Sequence, residues 1–312
     1  MNKNFWEKLD KPIYALAPMA GVADSAFRQI CKNFGADVVY SEMASATALV
    51  YNPAKTLELL KFNKKERPCV VQLFGSKPGH FEAAVKFVEK KIKPDGIDIN
   101  FGCPVKKVAR QGAGAILMDD KKLAREIIKN VINNTGLPVS IKIRSKAGNT
   151  SALEFLDYIK DLDIKTVMIH GRTMAQSFSG PVDVSVIKKA RDYFGGIILA
   201  NGGAADYESA VKLLDRSGAD GIGIARGALG RPWIFKAVRT GQNVQRSPRA
   251  IYKVAFKHVE LAYKLKGDQG IIETRKHLCW YVQGLPGAKK MRESMVKINN
   301  LVDIREIIKT RF

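Results

Sequence analysis

The sequence is short of acidic residues, cysteine and histidine, and has no long apolar run. Asp and Glu number 30 against 52 Lys and Arg, giving a net charge of +22 over 312 residues. Such an excess points to a polyanionic partner, a nucleic acid or an anionic membrane face, and argues against a purely small-molecule enzyme. The four cysteines, Cys31, Cys69, Cys103 and Cys279, show no CxxC spacing. That excludes a Cys-rich zinc site and a disulfide scaffold, and fits a reducing cytosol. No metal is expected. No stretch of eighteen apolar residues exists, so no membrane span is expected. The opening segment MNKNFWEKLDKPIYALAPMAG has no apolar region ending at a small-residue cleavage site, so no secretion signal is expected and a cytoplasmic location is. No GxGxxG follows an early strand, which disfavours a doubly wound dinucleotide-binding sheet.

What is present is ample apolar content, 46% of residues, enough for a substantial core. Short apolar runs alternate with amphipathic helical patterns. Strands are expected at residues 14–21, 38–44, 69–75, 96–102, 139–144, 166–172, 195–203 and 221–226. Helices are expected near 24–34, after residue 80, and near 119–134, 152–161, 184–193 and 206–216, with a short one from Arg231–Pro232. The strands are rich in β-branched residues and nearly continuously apolar, as in a parallel sheet covered on both faces. Eight strand–helix units in roughly 235 residues match the size of a (β/α)8 TIM barrel.

The pattern changes near residue 240. TGQNVQRSPRA reads as a linker, followed by helices at 249–266, 270–283 and 287–300 and a short last one. Residues 241–312 hold fifteen Lys and Arg against six Asp and Glu, a far higher positive density than in residues 1–240. The expected organisation is a catalytic barrel, 1–240, and a small basic all-helical domain, 241–312, as a docking surface for a large anion. A monomer is expected, because that surface must stay free.

Barrels gather their chemistry at the C-terminal strand ends. Those ends carry Pro18, Met19 and Ala20; Gln72; Asn100 with Gly102 and Cys103; Lys142 and Arg144; His170 and Arg172; Asn201, Gly202 and Gly203; and Ala225 and Arg226. Simpler readings exist: Lys142 as a surface lysine on a frayed strand, His170 as a satisfied core histidine, the glycines as tight turns. A lysine inside a buried strand is better explained by an anionic ligand. Backbone N–H groups of the glycine turns, with Arg226 and a helix beginning near Gly230, would cradle a phosphate. Cys103, in a strand-end Gly-Cys-Pro loop, is placed to hold or donate a proton. Cys31, Cys69 and Cys279 read as small buried hydrophobes.

The segment IDINFGCPVKKVARQGAGAILM resembles the signature of the tRNA-dihydrouridine synthases. LAPMAGVADSAFR, VVQLFG, VSIKIR, MIHGRT, ANGG and IARGALGRPWIF are similar to that family's blocks, in its order. The tail segment RKHLCWYVQGLPGAKKMRESM resembles its C-terminal helical domain. The likeness spans roughly residues 14–300, and the bacterial B-type branch is nearest. Two departures stand at the phosphate end: Gly203 where the family often has Asp, and Ala225 before Arg226 where it often has Gly.

The resemblance implies an FMN-bearing barrel that reduces uridine in tRNA to dihydrouridine, with NADPH or NADH reducing the flavin. Pro18, Met19 and Ala20 would line a face of the ring. Gln72 and Lys142 would bond its polar edge, with His170 in contact. Asn201, Gly202, Gly203, Ala225 and Arg226 would hold the phosphate and ribityl end. Cys103 matches the proton donor and Asn100 the residue that holds the uracil. Lys107 and Arg172 would touch RNA, and Arg275, Lys276, Lys289, Lys290 and Arg292 would form the tail's RNA surface. Trp280 and Tyr281 are expected in the small domain's core. Two rivals share parts of this pattern. An FMN enzyme for a small molecule leaves the basic tail unexplained, and a non-catalytic RNA-binding barrel leaves the Gly-Cys-Pro loop unexplained.

Overall fold

The computed structural model describes residues 4–309, with side chains through residue 307. Eight parallel strands close on themselves: β1 (Ile13–Leu16), β2 (Val38–Tyr40), β3 (Cys69–Phe74), β4 (Gly96–Phe101), β5 (Val139–Arg144), β6 (Thr166–His170), β7 (Ile197–Asn201) and β8 (Gly221–Ile224). Each pairs with the next, β8 pairs with β1, and β2 meets β3 through Val39–Cys69 and Tyr40–Val70. The topology is a closed (β/α)8 barrel with further helices after it.

The strands are buried on both faces, but the two faces differ chemically. Outward residues such as Ile97, Ile99 and Phe101 on β4, and Val139, Ile141 and Ile143 on β5, join one large cluster with the surrounding helices. Inward residues change character along the barrel axis. Ile13, Ala15, Val38, Val70, Met168 and Leu199 fill its N-terminal part, with Trp6 from the 3-10 turn Phe5–Lys8 in the same cluster. Above them come Asp98, Gln72, Asn100, Lys142, Arg144, His170 and Asn201, all buried. The strands are therefore not uniformly apolar, as the sequence pattern suggests. Period-two alternation puts Ser140, Lys142 and Arg144 into the barrel and their apolar neighbours against helices.

Helix α1 (Ser25–Asn33) begins at Asp24, whose side chain accepts from Phe27 N–H. Two helices precede β3, α2 (Ala46–Tyr51) and α3 (Pro53–Leu60). Their apolar spacing is too short and irregular to stand out in the sequence. Around the rest of the barrel lie α4 (Pro78–Lys91), α5 (Lys121–Asn133), α6 (Ala152–Tyr158), α7 (Val184–Lys189), α8 (Tyr207–Ser217) and α9 (Ile234–Thr240). The short helix expected to start near Arg231–Pro232 begins at Ile234. A 3-10 turn covers Arg226–Ala228, and the seven-residue α9 follows three residues after Arg231.

The tail folds as α10 (Pro248–Lys266), α11 (Asp268–Tyr281), α12 (Ala288–Met295) and α13 (Leu301–Lys309). The helix expected at 287–300 stops at Met295. The tail helices share a core of Tyr252, Val259, Ile271, Leu278, Tyr281, Met291 and Met295, joined by Trp233 and flanked by Phe34. Tyr281 lies in this core as expected. Trp280 is half-buried against His277, their rings 5.0 Å apart.

Candidate active site

Most of the singled-out strand-end residues meet at the barrel's C-terminal mouth. Lys142 is buried, and its Nζ donates to Asn201 Oδ1 at 3.0 Å, while Asn201 Nδ2 donates to Gly223 O at 2.6 Å. Burial, reinforced by Arg144, pulls the Lys142 pKa down to about 8. Arg144 donates from Nε to Gly102 O at 2.9 Å and from Nη1 to Thr173 O at 3.0 Å, so it ties the Cys103 loop to the loop after β6. Arg226 is exposed, donates to Phe178 O at 3.0 Å and stacks on the Phe178 ring. Arg172 is half-buried and donates to Gly180 O at 2.8 Å. Among the described residues none of these four cations lies within 4.0 Å of a carboxylate.

Four positive charges, none in a direct ion pair, act on His170. Burial first, then Lys142, Arg144, Arg172 and Arg226, push its pKa down to about 2. The imidazole is therefore neutral. Arg172 Nη1, a donor, stands 3.5 Å from His170 Nε2. Beside it, Gly202 has φ +97°, and a Cβ there would come within 2.5 Å of His170 Cδ2. Only glycine lets the Asn-Gly-Gly turn pass so close to the ring.

Cys103 is half-buried just past β4. Burial raises its thiol pKa, opposed by the Val105 N–H and the charges of Arg144 and Lys142, so the thiol is protonated at neutral pH. Its loop is held at both sides. Asn100 Oδ1 accepts from Gly102 N at 3.0 Å and Cys103 N at 2.9 Å, and Ala115 N donates to Cys103 O at 3.0 Å. Gly114, at φ +73°, has no space for a side chain, since a Cβ would sit 2.8 Å from Cys103 O.

The other expected residues are placed as follows. Pro18 and Met19 are half-buried and Ala20 exposed, immediately after β1. Gln72 is buried on β3. Gly203 is exposed at φ +80° and Ala225 half-buried. Lys107 is exposed on the one-turn helix Lys106–Ala109. In the tail, Lys276, Lys289, Lys290 and Arg292 are exposed. Arg275 is half-buried, with Nε and Nη2 on Ile298 O at 2.9 and 2.7 Å, so its guanidinium is engaged within the tail. Cys31 and Cys69 are buried as expected, but Cys279 is only half-buried. Residues the sequence reading passed over are Asp98, fully buried beneath Asn100, and Phe178, an exposed ring between Arg144 and Arg226. An acidic residue inside an apolar strand is the signal that marks Asp98.

Among the described residues no group of three metal-ligating side chains converges, and no helix is long and apolar enough to cross a membrane.

Fold and site together define an α/β barrel whose mouth joins a loop cysteine to a group of cations that make no direct ion pair, with the Asp98 carboxylate buried below them. A family model described as dihydrouridine synthase matches residues 15–310. The chain is 34% identical over 297 residues to tRNA-dihydrouridine synthase B of Pseudomonas aeruginosa, covering 92% of this chain and 88% of that one. It is 31% identical over 303 residues to probable tRNA-dihydrouridine synthase 1 of Synechocystis sp., covering 94% and 84%. Among solved structures, histamine dehydrogenase from Rhizobium sp. 4-9 aligns with TM-score 0.56 at 14% identity, over 80% of this chain and 48% of that one. 2-Naphthoyl-CoA reductase aligns with TM-score 0.56 at 12% identity, over 73% and 50%. The chain thus spans about half the length of those two, and the likeness is one of fold. The chain belongs to the dihydrouridine synthase family.

Proposed function

We propose that this protein reduces uridines of tRNA to dihydrouridine, using FMN reduced by NADPH or NADH. The observation that carries the reading is the meeting, at one barrel mouth, of a half-buried loop thiol and buried cations that make no direct ion pair. The donor set fits FMN. Lys142, Arg226 and the Gly202–Gly203 turn supply charge and N–H groups for a phosphate and an electron-rich ring edge, and Gln72 supplies an amide. Pro18, Met19 and Ala20 would line the ring face and neutral His170 would touch it. Asn201 and Ala225 complete the ribityl and phosphate end, where the missing acid at Gly203 leaves backbone groups to do the holding.

Bound FMN supplies the hydride that saturates C6 of the uracil. The chain's own groups do the rest. Asn100 orients the base by its amide, and Cys103 gives its thiol proton to C5. A thiol kept protonated by burial suits that step. Residues 1–240 act as the catalytic barrel and 241–312 as the RNA-docking domain. Lys107 and Arg172 at the mouth and Lys276 on the tail contact RNA phosphates, and Arg275 contributes charge while holding α11 to the Ile298 turn. The working protein is a monomer in the cytoplasm. Extruding a stacked uridine costs a few kcal/mol, and phosphate contacts offset it.

The test is purified protein incubated with unmodified tRNA and NADPH, with dihydrouridine mapped by mass spectrometry. Dihydrouridine is expected with wild type and a ~10²–10⁴-fold slower rate with Cys103→Ala. A colourless wild-type protein that leaves every uridine unreduced overturns the reading.

A further inference from the structure

Asp98 has no part in the reading above. It is fully buried on β4, facing inward two residues before Asn100, with Gln72 of β3 and Ser140 of β5 as registered neighbours. A continuous chain of hydrogen bonds starts from it. Ser140 Oγ donates to Asp98 Oδ1 at 2.6 Å and Gln72 Nε2 to Asp98 Oδ2 at 2.7 Å. Asn100 Nδ2 donates to Gln72 Oε1 at 2.8 Å. Gly102 and Cys103 then donate their N–H groups to Asn100 Oδ1.

The two ends dictate the sense of the whole chain. Backbone N–H groups can only donate, and an ionised carboxylate can only accept. Between them each carboxamide has one orientation that sets no donor against a donor. Burial raises the Asp98 carboxyl to about 6, opposed by Ser140, Gln72 and Lys142, so it is ionised at neutral pH. A reversed Gln72 would put its oxygen against that carboxylate and its NH2 against that of Asn100, leaving buried polar groups unmatched. Gln72 and Asn100 are thereby both fixed as donors with a second amide hydrogen to spare. For Asn100 that hydrogen meets only the Met43 sulfur, at 3.6 Å. The pair is preset for acceptor atoms such as uracil or flavin carbonyls.

We propose that Asp98 is a positioning residue, which acts through Gln72 and Asn100 to hold the Cys103 loop and aim its thiol. The role in turnover rests on the function proposed above, whereas the role in holding the loop does not. Removing the carboxylate strips Gln72 Nε2 of its acceptor, so the Gln72 side chain can swing away from Asn100 Nδ2 and leave Asn100 anchored only to the Cys103 loop, which loosens that loop; a small misplacement of a reacting group lowers turnover ~10²-fold. Asparagine can keep the sense of the chain. Its oxygen accepts from Gln72, and its NH2 donates to Ser140 Oγ, whose hydroxyl turns to Ile97 O, 3.4 Å away.

The experiment compares wild type, Asp98→Leu, Asp98→Asn and Asp98→Asn/Ser140→Ala. Two readouts are taken: kcat and KM for tRNA, and the alkylation rate of Cys103 by iodoacetamide, followed by peptide mass mapping without tRNA or reductant. Asp98→Leu is expected to lose ~10²-fold in kcat with KM little changed, and to speed Cys103 alkylation severalfold. Asp98→Asn should recover most of both, and the added Ser140→Ala should undo that recovery. Where the leucine variant does not fold, the contrast between the asparagine single and double variants decides. Wild-type alkylation in the leucine variant, or an asparagine variant no better than leucine, overturns the proposal. An alkylation contrast in a protein that makes no dihydrouridine supports the positioning role and overturns only the function.

Discussion

At the α1 flank, Arg28 is fully buried and fully answered. Its Nε meets Glu66 Oε2 at 2.6 Å, and its Nη1 and Nη2 donate to Ala23 O and Lys61 O at 2.7 and 2.8 Å. Lys266 from the tail likewise bridges Asp24 and Glu273 at 3.2 and 2.6 Å. At the barrel mouth, Lys142 and Arg144 are also buried, but they hydrogen-bond only to amide and carbonyl oxygens, and the Asp98 carboxylate acts on Lys142 without a direct ion pair. A buried cation without a direct ion pair is costly, and burial lowers its pKa for that reason. The flank uses its charges structurally: Arg28 holds α1 to the segment after α3, and Lys266 holds the tail to the barrel. The mouth keeps its cations out of direct ion pairs, which suits the anionic cofactor proposed for it.

The comparison breaks most sharply if the flank pair is not structural. Arg28→Met leaves Glu66 buried without its partner and is expected to cost ~3–5 kcal/mol of unfolding free energy. Urea unfolding monitored by tryptophan fluorescence measures it, and a change below ~1 kcal/mol would put the pair on a par with a surface one.

The second effect is acid sensitivity at the same flank. His258 and His277 are buried between α1, α10 and α11, with rings 4.6 Å apart and Asp24, Lys266, Lys276 and Tyr281 around them. Burial lowers the His258 pKa to about 4, against 6.5 for the free side chain. Above pH 6.5 neither state carries the proton. Between 6.5 and about 4 only the unfolded chain takes it up, so stability falls on acidification. At ~1.4 kcal/mol per pH unit, wild type should lose ~2–3 kcal/mol more than His258→Phe between pH 7 and pH 4.5. Parallel denaturant curves at the two pH values check this.

The smallest effect sharpens the contrast from the other side. Lys142→Met should raise the stability of flavin-free protein by ~1–2 kcal/mol at pH 7, while weakening FMN retention. The gain should vanish as pH rises from about 8 towards 10.5, because the folded protein then keeps Lys142 neutral while the unfolded chain still holds its proton. Loss of stability at pH 7 would mean that Asn201 and the nearby Asp98 carboxylate together compensate the buried charge.

The eight-unit rhythm, the strand-end residues and the basic tail were all legible in the sequence. Hydrophobic periodicity reports burial, and Lys142 inside VSIKIR betrays itself by interrupting an apolar run. The helices Ala46–Tyr51 and Pro53–Leu60 escaped, since two short helices meeting at Asn52 never build a clear apolar stripe. Asp98 escaped as a functional residue because its meaning lies in partners 26 and 42 positions away.

By itself, the sequence determined that alternate residues along each strand share a face, because alternation is a property of the extended chain. It also determined the excess of positive charge and the glycines that permit the turns at Gly114 and Gly202. Tertiary structure alone decided which cations go unpaired and which way the amides of Gln72 and Asn100 point. Those are matters of what stands within 3 Å across neighbouring strands, and barrel closure sets that distance.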